Sequence, residues 1–209
     1  MKSLLLSLLV FFAAGYAQET NSIKLLPPQK ETGKPLMQVL NQRQSQRSFS
    51  KKDISEQDLS NILWAAFGIN RSESGKRTAP SAMNKQEIDV YAVMKDGAYL
   101  YEPKTHSIKK ISDKDIRNLT GIQSFVKDAP LNLVYVADYS KVGEASKPEN
   151  LLYIGADAGF IAENVYLYCA SENLATVVRG SLVKDKLAKE LKLNKNQNII
   201  LAQTVGYGE

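Results

Sequence analysis

Ile88-Asp89-Val90-Tyr91-Ala92-Val93-Met94-Lys95-Asp96-Gly97-Ala98-Tyr99-Leu100-Tyr101 is the stretch that decides the fold class. Ile88, Val90, Ala92 and Met94 alternate with Asp89, Tyr91 and Val93, the two-residue period of a strand with one face better buried than the other. Asp96-Gly97 carries the residues a tight hairpin needs, so Ala98 to Tyr101 should return as the neighbouring strand. Further on, Leu131 to Ala137 is a nearly continuous apolar run, the pattern of a strand in a sheet interior. Thr176-Val177-Val178 and Asn198 to Val205 predict two more strands.

Helical patterns break up this series. Ser55, with Asp58 three residues later, resembles an N-cap with a weakened capping box. Leu59, Ile62, Leu63 and Ala66 then mark one helical face, with Trp64 and Phe67 beside it and Gly68 at its end. Pro35 to Leu40 predicts a short helix and residues 113 to 120 another, starting near Asp113. Asn70 to Arg77 reads as a polar loop. Glu149 to Glu172 is the longest helical stretch, and its Gly155, Ala156, Gly159 and Ala162 form a smooth strip that permits close packing. Leu182 to Leu191 is the last helix. This irregular order, without internal repeats, predicts an α+β layered domain with a central sheet rather than a Rossmann fold. No Gly-x-Gly-x-x-Gly follows a strand, so a nucleotide would not be held in that way.

The 209 residues give room for one domain with a real core. Lys2, the apolar run from Leu4 to Ala14, and the small residues of Gly15-Tyr16-Ala17 read as a signal peptide over 1–17, with a mature chain starting near Gln18. The run is short for a membrane span, which needs about 20 residues; an uncleaved anchor is the alternative. The expected location is therefore periplasmic or secreted. Residues 18–34, with Pro27-Pro28, read as a linker or surface arm, and 35–209 as the domain. A net charge of +5 fits an anionic ligand. The basic residues are scattered among 22 acids without interleaved stacking aromatics, which argues against nucleic acid. The single cysteine, Cys169, lies in an apolar helical segment and reads as a buried inert thiol. The single histidine, His106, reads as a solvated loop residue. One His and one Cys supply neither a zinc cluster nor a Cys-His dyad, and no Gly-x-Ser-x-Gly supports a Ser-His-Asp site. Such a chain fits a cofactor that carries its own chemistry.

Two clusters carry the functional reading. In Arg43-Gln44-Ser45-Gln46-Arg47-Ser48-Phe49, alternate residues of an extended run place Arg43, Ser45 and Arg47 on one side, and planar guanidinium groups suit a phosphate. Ala79-Pro80-Ser81-Ala82-Met83-Asn84-Lys85-Gln86 supplies a kinked turn with amide and hydroxyl side chains. Each is weak alone: two surface arginines or an ordinary loop would explain them. Two further features follow in order, Gly159-x-x-x-Glu163-Asn164-x-Tyr166-Leu167 and then Val178-Arg179-Gly180. The joint pattern resembles the nitroreductase family of flavin mononucleotide (FMN) enzymes from about residue 36 onward, and is most similar to its SagB/ThcOx-type branch, which includes peptide azoline dehydrogenases.

The resemblance implies a mainly antiparallel sheet flanked by helices, and a homodimer with FMN at the subunit interface. Arg43, Ser45 and Arg47 would hold the phosphate and ribityl end. Pro80, Ser81 and Asn84 would contact the isoalloxazine ring from the other subunit. Val178-Arg179-Gly180 would pass the reactive edge, with the N–H of Arg179 or Gly180 facing flavin N5, and Gln123 is a lower-grade polar contact. Arg77 would assist a phosphate or anionic substrate, or be a solvated loop arginine. The implied activity is hydride transfer through flavin to or from a small organic substrate; a non-catalytic flavin-binding or structural protein is the alternative. In relatives the donor is NADH or NADPH, which are cytoplasmic, so export implies a different donor or a substrate dehydrogenation. Three departures stand out. Glu163 replaces the usual Gln and reads as a helix-face or dimer-contact residue. No basic residue follows Lys195, so phosphate affinity should rest on Arg43 and Arg47. The branch's Lys-Tyr pair has no secure counterpart, although Lys85 lies in the right turn.

Overall fold

A computed structural model describes residues 22–143 and 147–209; the signal-peptide reading of residues 1–17 lies outside the described residues. Nine strands and four α-helices follow in chain order: β1 (Ser22–Lys24), α1 (Leu36–Gln42), α2 (Glu56–Phe67), β2 (Ile69–Arg71), β3 (Lys76–Arg77), β4 (Ile88–Met94), β5 (Gly97–Glu102), β6 (Ser107–Ser112), β7 (Leu131–Asp138), α3 (Pro148–Ser171), β8 (Leu174–Arg179), α4 (Lys184–Glu190) and β9 (Gln197–Tyr207). Seven strands form one sheet in the order β1-β6-β5-β4-β7-β9-β8, and β2 and β3 form a separate hairpin. Every pairing in the large sheet is antiparallel. The protein is an α+β fold of the expected kind.

The central strand explains the layers. Successive side chains of a strand point to opposite faces. Leu133, Tyr135 and Ala137 of β7 join the larger core with Leu63 of α2 and Ile161 and Val165 of α3. Val134 and Val136 join the smaller core with Leu187 of α4 and Ile199 of β9. Both faces are covered, which is why this strand reads as an unbroken apolar run. Helix α2 starts as expected: the Ser55 hydroxyl accepts the Asp58 N–H at 3.0 Å. Gly68 ends it for a reason other than a left-handed cap. Its φ is −69°, and an added Cβ would meet the Trp64 ring at 2.4 Å. Gly97, by contrast, needs both its φ of +146° and its lack of a side chain, because a Cβ would lie 2.3 Å from the Ser112 carbonyl oxygen.

Within the segment read as a linker or surface arm, the exposed β1 pairs with β6 through Ile23 and Ile108, and Leu25 is buried in the larger core. Three expectations change. The polar loop over 70–77 contains the β2–β3 hairpin, and residues 107–112 form an unforeseen strand. Residues 113–120 are not an α-helix; only a 3-10 turn forms over Arg117–Leu119. Here Asp115 accepts hydrogen bonds from the Arg117 backbone N–H and from its Nε, a local alternative that competes with helix formation. His106 is not solvated. It is half-buried at φ +48°, with Nε2 at 2.8 Å from Ser60 Oγ and 3.0 Å from the Leu26 carbonyl oxygen, and Nδ1 at 2.9 Å from the Tyr101 hydroxyl. Burial lowers its pKa. Cys169 is fully buried as expected, and burial pushes its thiol well up.

Candidate functional site

The arginine-rich segment lies along the outer edge of β8. The Gln46 N–H donates to the Thr176 carbonyl oxygen at 3.0 Å, and the Ser50 N–H donates to Tyr207 at 2.9 Å. Phe49 anchors the segment, buried against Phe125, Ala129, Ala175 and Val177. Tyr166 of α3 is the meeting point. Its hydroxyl lies 2.8 Å from Ser45 Oγ and accepts the Val178 N–H at 2.9 Å, while the Arg43 guanidinium lies 5.2 Å from the centre of its ring. Three sequence features are thereby joined through one phenol. Arg47 belongs to the same segment and is exposed.

A cleft of about 580 Å³ opens beside this segment, lined by Lys34, Arg43, Gln46, Tyr166, Asn173 and Thr176 among others. None of its lining residues is acidic. Lys34, which was read as part of the linker, donates to Gln42 Oε1, the Ala170 carbonyl oxygen and Asn173 Oδ1, all neutral acceptors. Two cations on a cleft without an acidic lining residue suit an anionic group.

The end of β8 separates the side chain of Arg179 from its backbone. The guanidinium is buried beneath the sheet edge, donating to the Thr120 carbonyl oxygen, to Asn132 Oδ1 at 2.8 Å and to Thr204 Oγ1 at 2.6 Å. Burial without an acidic partner lowers its pKa to about 10. Gln123 lies next to this network: a Cβ on Gly121 would touch both Arg179 Nη1 and Gln123 Oε1. Buried Gln123 Oε1 and Arg179 Nε have no hydrogen-bond partner among the described residues. Val178 turns its N–H away from β9, towards Tyr166. Neighbouring residues alternate, so the Arg179 N–H faces β9; Gly180 follows the last residue of β8. The space beside Gly180 is open, with nothing within 4 Å of an added Cβ.

The second cluster sits elsewhere. Pro80 and Asn84 are exposed and Ser81 half-buried. The turn is unusual in having Met83, Asn84 and Gln86 all at φ near +50°, a region non-glycine residues occupy at a cost of about 1–3 kcal/mol each. Ser81 Oγ offsets some of this by accepting the Gln86 N–H at 3.0 Å, and Asp157 of α3 accepts the Ala82 N–H at 2.9 Å. Asp157 and Tyr166 are nine residues apart on one helix, or about 13 Å along its axis. One chain therefore does not bring the Pro80 turn onto the Arg43 segment. Arg77 is engaged within the chain, donating to Gln86 Oε1 and the Phe67 carbonyl oxygen, and is not a free loop arginine. Lys85 donates to the Val142 carbonyl oxygen at 3.0 Å.

This arrangement has known counterparts. The nitroreductase family profile matches residues 40–207. A protein of Methanocaldococcus jannaschii assigned as a nitroreductase is 30% identical over 170 residues, 77% of this chain and 85% of that one. A crystal structure of a Ralstonia eutropha protein, also assigned as a nitroreductase, is 42% identical with a TM-score of 0.85 and covers 90% of each chain. The NADPH:FMN oxidoreductase of Vibrio harveyi shares the fold, with a TM-score of 0.64 and 20% identity over 83% of this chain and 69% of that one. The chain belongs to the nitroreductase family, and is thus of an oxidoreductase class. Tyr166→Phe tests the joint at this site: it should keep the fold but lose about 1–2 kcal/mol of stability, read by urea denaturation, since the Val178 N–H loses its acceptor.

Proposed function

We propose that this chain is an FMN-dependent oxidoreductase of the SagB/ThcOx-type branch, acting as a homodimer. The observation that carries the proposal is the cleft, lined by no acidic residue, in which Arg43 is held over Tyr166. These residues fit the cofactor. Arg43 and Arg47 would bind its phosphate, with Ser45 donating nearby, and the Gly180 amide would sit at the reactive edge of the ring. A backbone donor fixed in a strand end needs no reorganisation when charge develops there. FMN bound in this place supplies hydride chemistry at N5, to or from a small organic substrate.

Pro80, Ser81 and Asn84 would come from the other subunit, covering the ring and excluding water. The separation of the two clusters along α3 supports this, as does a further feature of the surface. Leu36, Met37 and Leu40 of α1 and Leu151, Leu152, Tyr153 and Phe160 of α3 are exposed, and Gly155 and Gly159 leave open space between them. Exposed apolar side chains clustered on a helix, as over residues 151–160, mark an interaction surface. Val178 and Gln123 would line the flavin side of the site. Export, expected from residues 1–17, would remove the protein from reduced nicotinamides and favours oxidation of a substrate by the flavin.

The test is the visible spectrum of the purified chain before and after addition of FMN. Bound flavin absorbance, with FMN released on denaturation, is expected. A colourless protein that ignores added FMN would overturn the reading, and holo-protein inactive with every donor would leave flavin binding without catalysis.

A further inference from the structure

Glu87 lies between the Pro80–Gln86 turn and the first residue of β4, and is the most deeply buried carboxyl among the described residues at 1% exposure. No donor of the described residues reaches either of its oxygens. Asp157 of α3, 3% exposed, faces it at side-chain hydrogen-bonding range and already holds the turn through the Ala82 N–H. Two buried carboxylates cannot both ionise cheaply; such a pair keeps one proton between them. The cations nearby are committed elsewhere. Lys141, in the 3-10 turn after β7, donates to the Gln86 carbonyl oxygen and to Asp89. Lys85 is bound to Val142 and Arg77 to Gln86. Asp89 and Asp138, on β4 and β7, add further negative charge on this side.

We propose that Glu87 and Asp157 form a one-proton clasp that positions the Pro80–Gln86 turn on α3, so that loss of the proton releases the turn and weakens what it holds. The part of this that concerns flavin rests on the function proposed above. Physical reasons fix which element gives way. Glu87 is held by the sheet, where its carbonyl oxygen accepts the Asp138 N–H at 2.9 Å, and Asp157 is in the middle of a 24-residue helix. The turn between them has three strained residues and exposed tips, and yields first. Burial, reinforced by the Asp157 carboxylate, raises the Glu87 pKa to about 7, against the opposing effects of its own backbone N–H and Lys141. The sign follows. The unfolded chain ionises Glu87 near pH 4.5, so the folded state binds the extra proton between there and about 7. Stability falls with rising pH across that window and levels off above it.

Two measurements test the clasp. In the protein without flavin, the Glu87 side-chain carboxyl, followed by carbon NMR, should titrate near neutrality; an ordinary carboxylate midpoint would overturn the proposal without reference to any cofactor. FMN affinity, read by flavin fluorescence, should then weaken several-fold more between pH 6 and 8.5 in the wild type than in Glu87→Gln, which keeps a donor but cannot ionise. Asp157→Asn serves as the second variant and should flatten the profile in the same way. Equal pH profiles in wild type and both variants would overturn the coupling while leaving flavin binding intact. Absence of FMN binding at every pH would instead overturn the flavin reading, and the NMR titration would still decide whether the carboxyl pair exists.

Discussion

Arg179→Ala should destabilise the protein by about 2–3 kcal/mol, measured by urea unfolding. The guanidinium connects three elements: the loop at Thr120, Asn132 of β7 and Thr204 of β9. Its removal leaves buried acceptors without donors and a cavity under the Phe125 ring, whose centre lies 5.9 Å from the guanidinium carbon. Asn132 and Thr204 keep their mutual hydrogen bond at 2.6 Å, which limits the loss. The cost of holding a charge away from water is recovered in the variant, which limits it further. Even so, the change is a large fraction of the stability of a domain this size, about 5–15 kcal/mol. Lysine should not restore it, because one ammonium cannot reproduce a planar fork aimed at three oxygens. A loss below about 1 kcal/mol would show that the network contributes little.

The second large effect concerns the cofactor. Arg43→Ala and Arg47→Ala should each weaken FMN binding by roughly tenfold to 150-fold, from about 1.5–3 kcal/mol per charged hydrogen bond. Arg43 should be the more damaging of the two. It is half-buried and stacked on Tyr166, so less freedom is lost when it binds, whereas exposed Arg47 must be ordered by the ligand. Fluorescence titration of FMN against the two variants measures this directly. Unchanged retention in both would remove the phosphate assignment.

How far the sequence could be read depended on where each signal came from. Helices α2 and α3 and strands β4, β5, β7 and β9 announce themselves by periodicity, since burial imposes an apolar pattern on long elements. Strands β1 and β6 carry little such pattern. Their order comes from each other, as in the pairing of Ser22 with Lys109, a contact between residues far apart in the chain. The β2–β3 hairpin is likewise short, polar and exposed. His106 was misleading for a related reason: its neighbours in sequence are polar, but its partners are Leu26, Ser60 and Tyr101.

The candidate site shows the same division. Arg43, Ser45 and Arg47 are visible from side-chain chemistry and a period of two. The role of Tyr166 as their support is not, because it depends on where α3 crosses β8. Arg179 was singled out for its place in the chain, yet its side chain is buried in a network that ties Thr120, Asn132 and Thr204 together. Lys34 was missed because a polar segment with two prolines gives no sign that it returns to α3. The burial of Glu87 had no signal at all in a turn rich in polar residues.

The covering of β8 also governs how copies of this protein can meet. An edge strand with free amides and carbonyls invites another strand to add to it, the route to aggregates and fibrils. Here the Thr176 carbonyl oxygen and the Val178 N–H are already taken, by Gln46 and by the Tyr166 hydroxyl. The segment that presents the arginines therefore also closes the sheet to growth at this end.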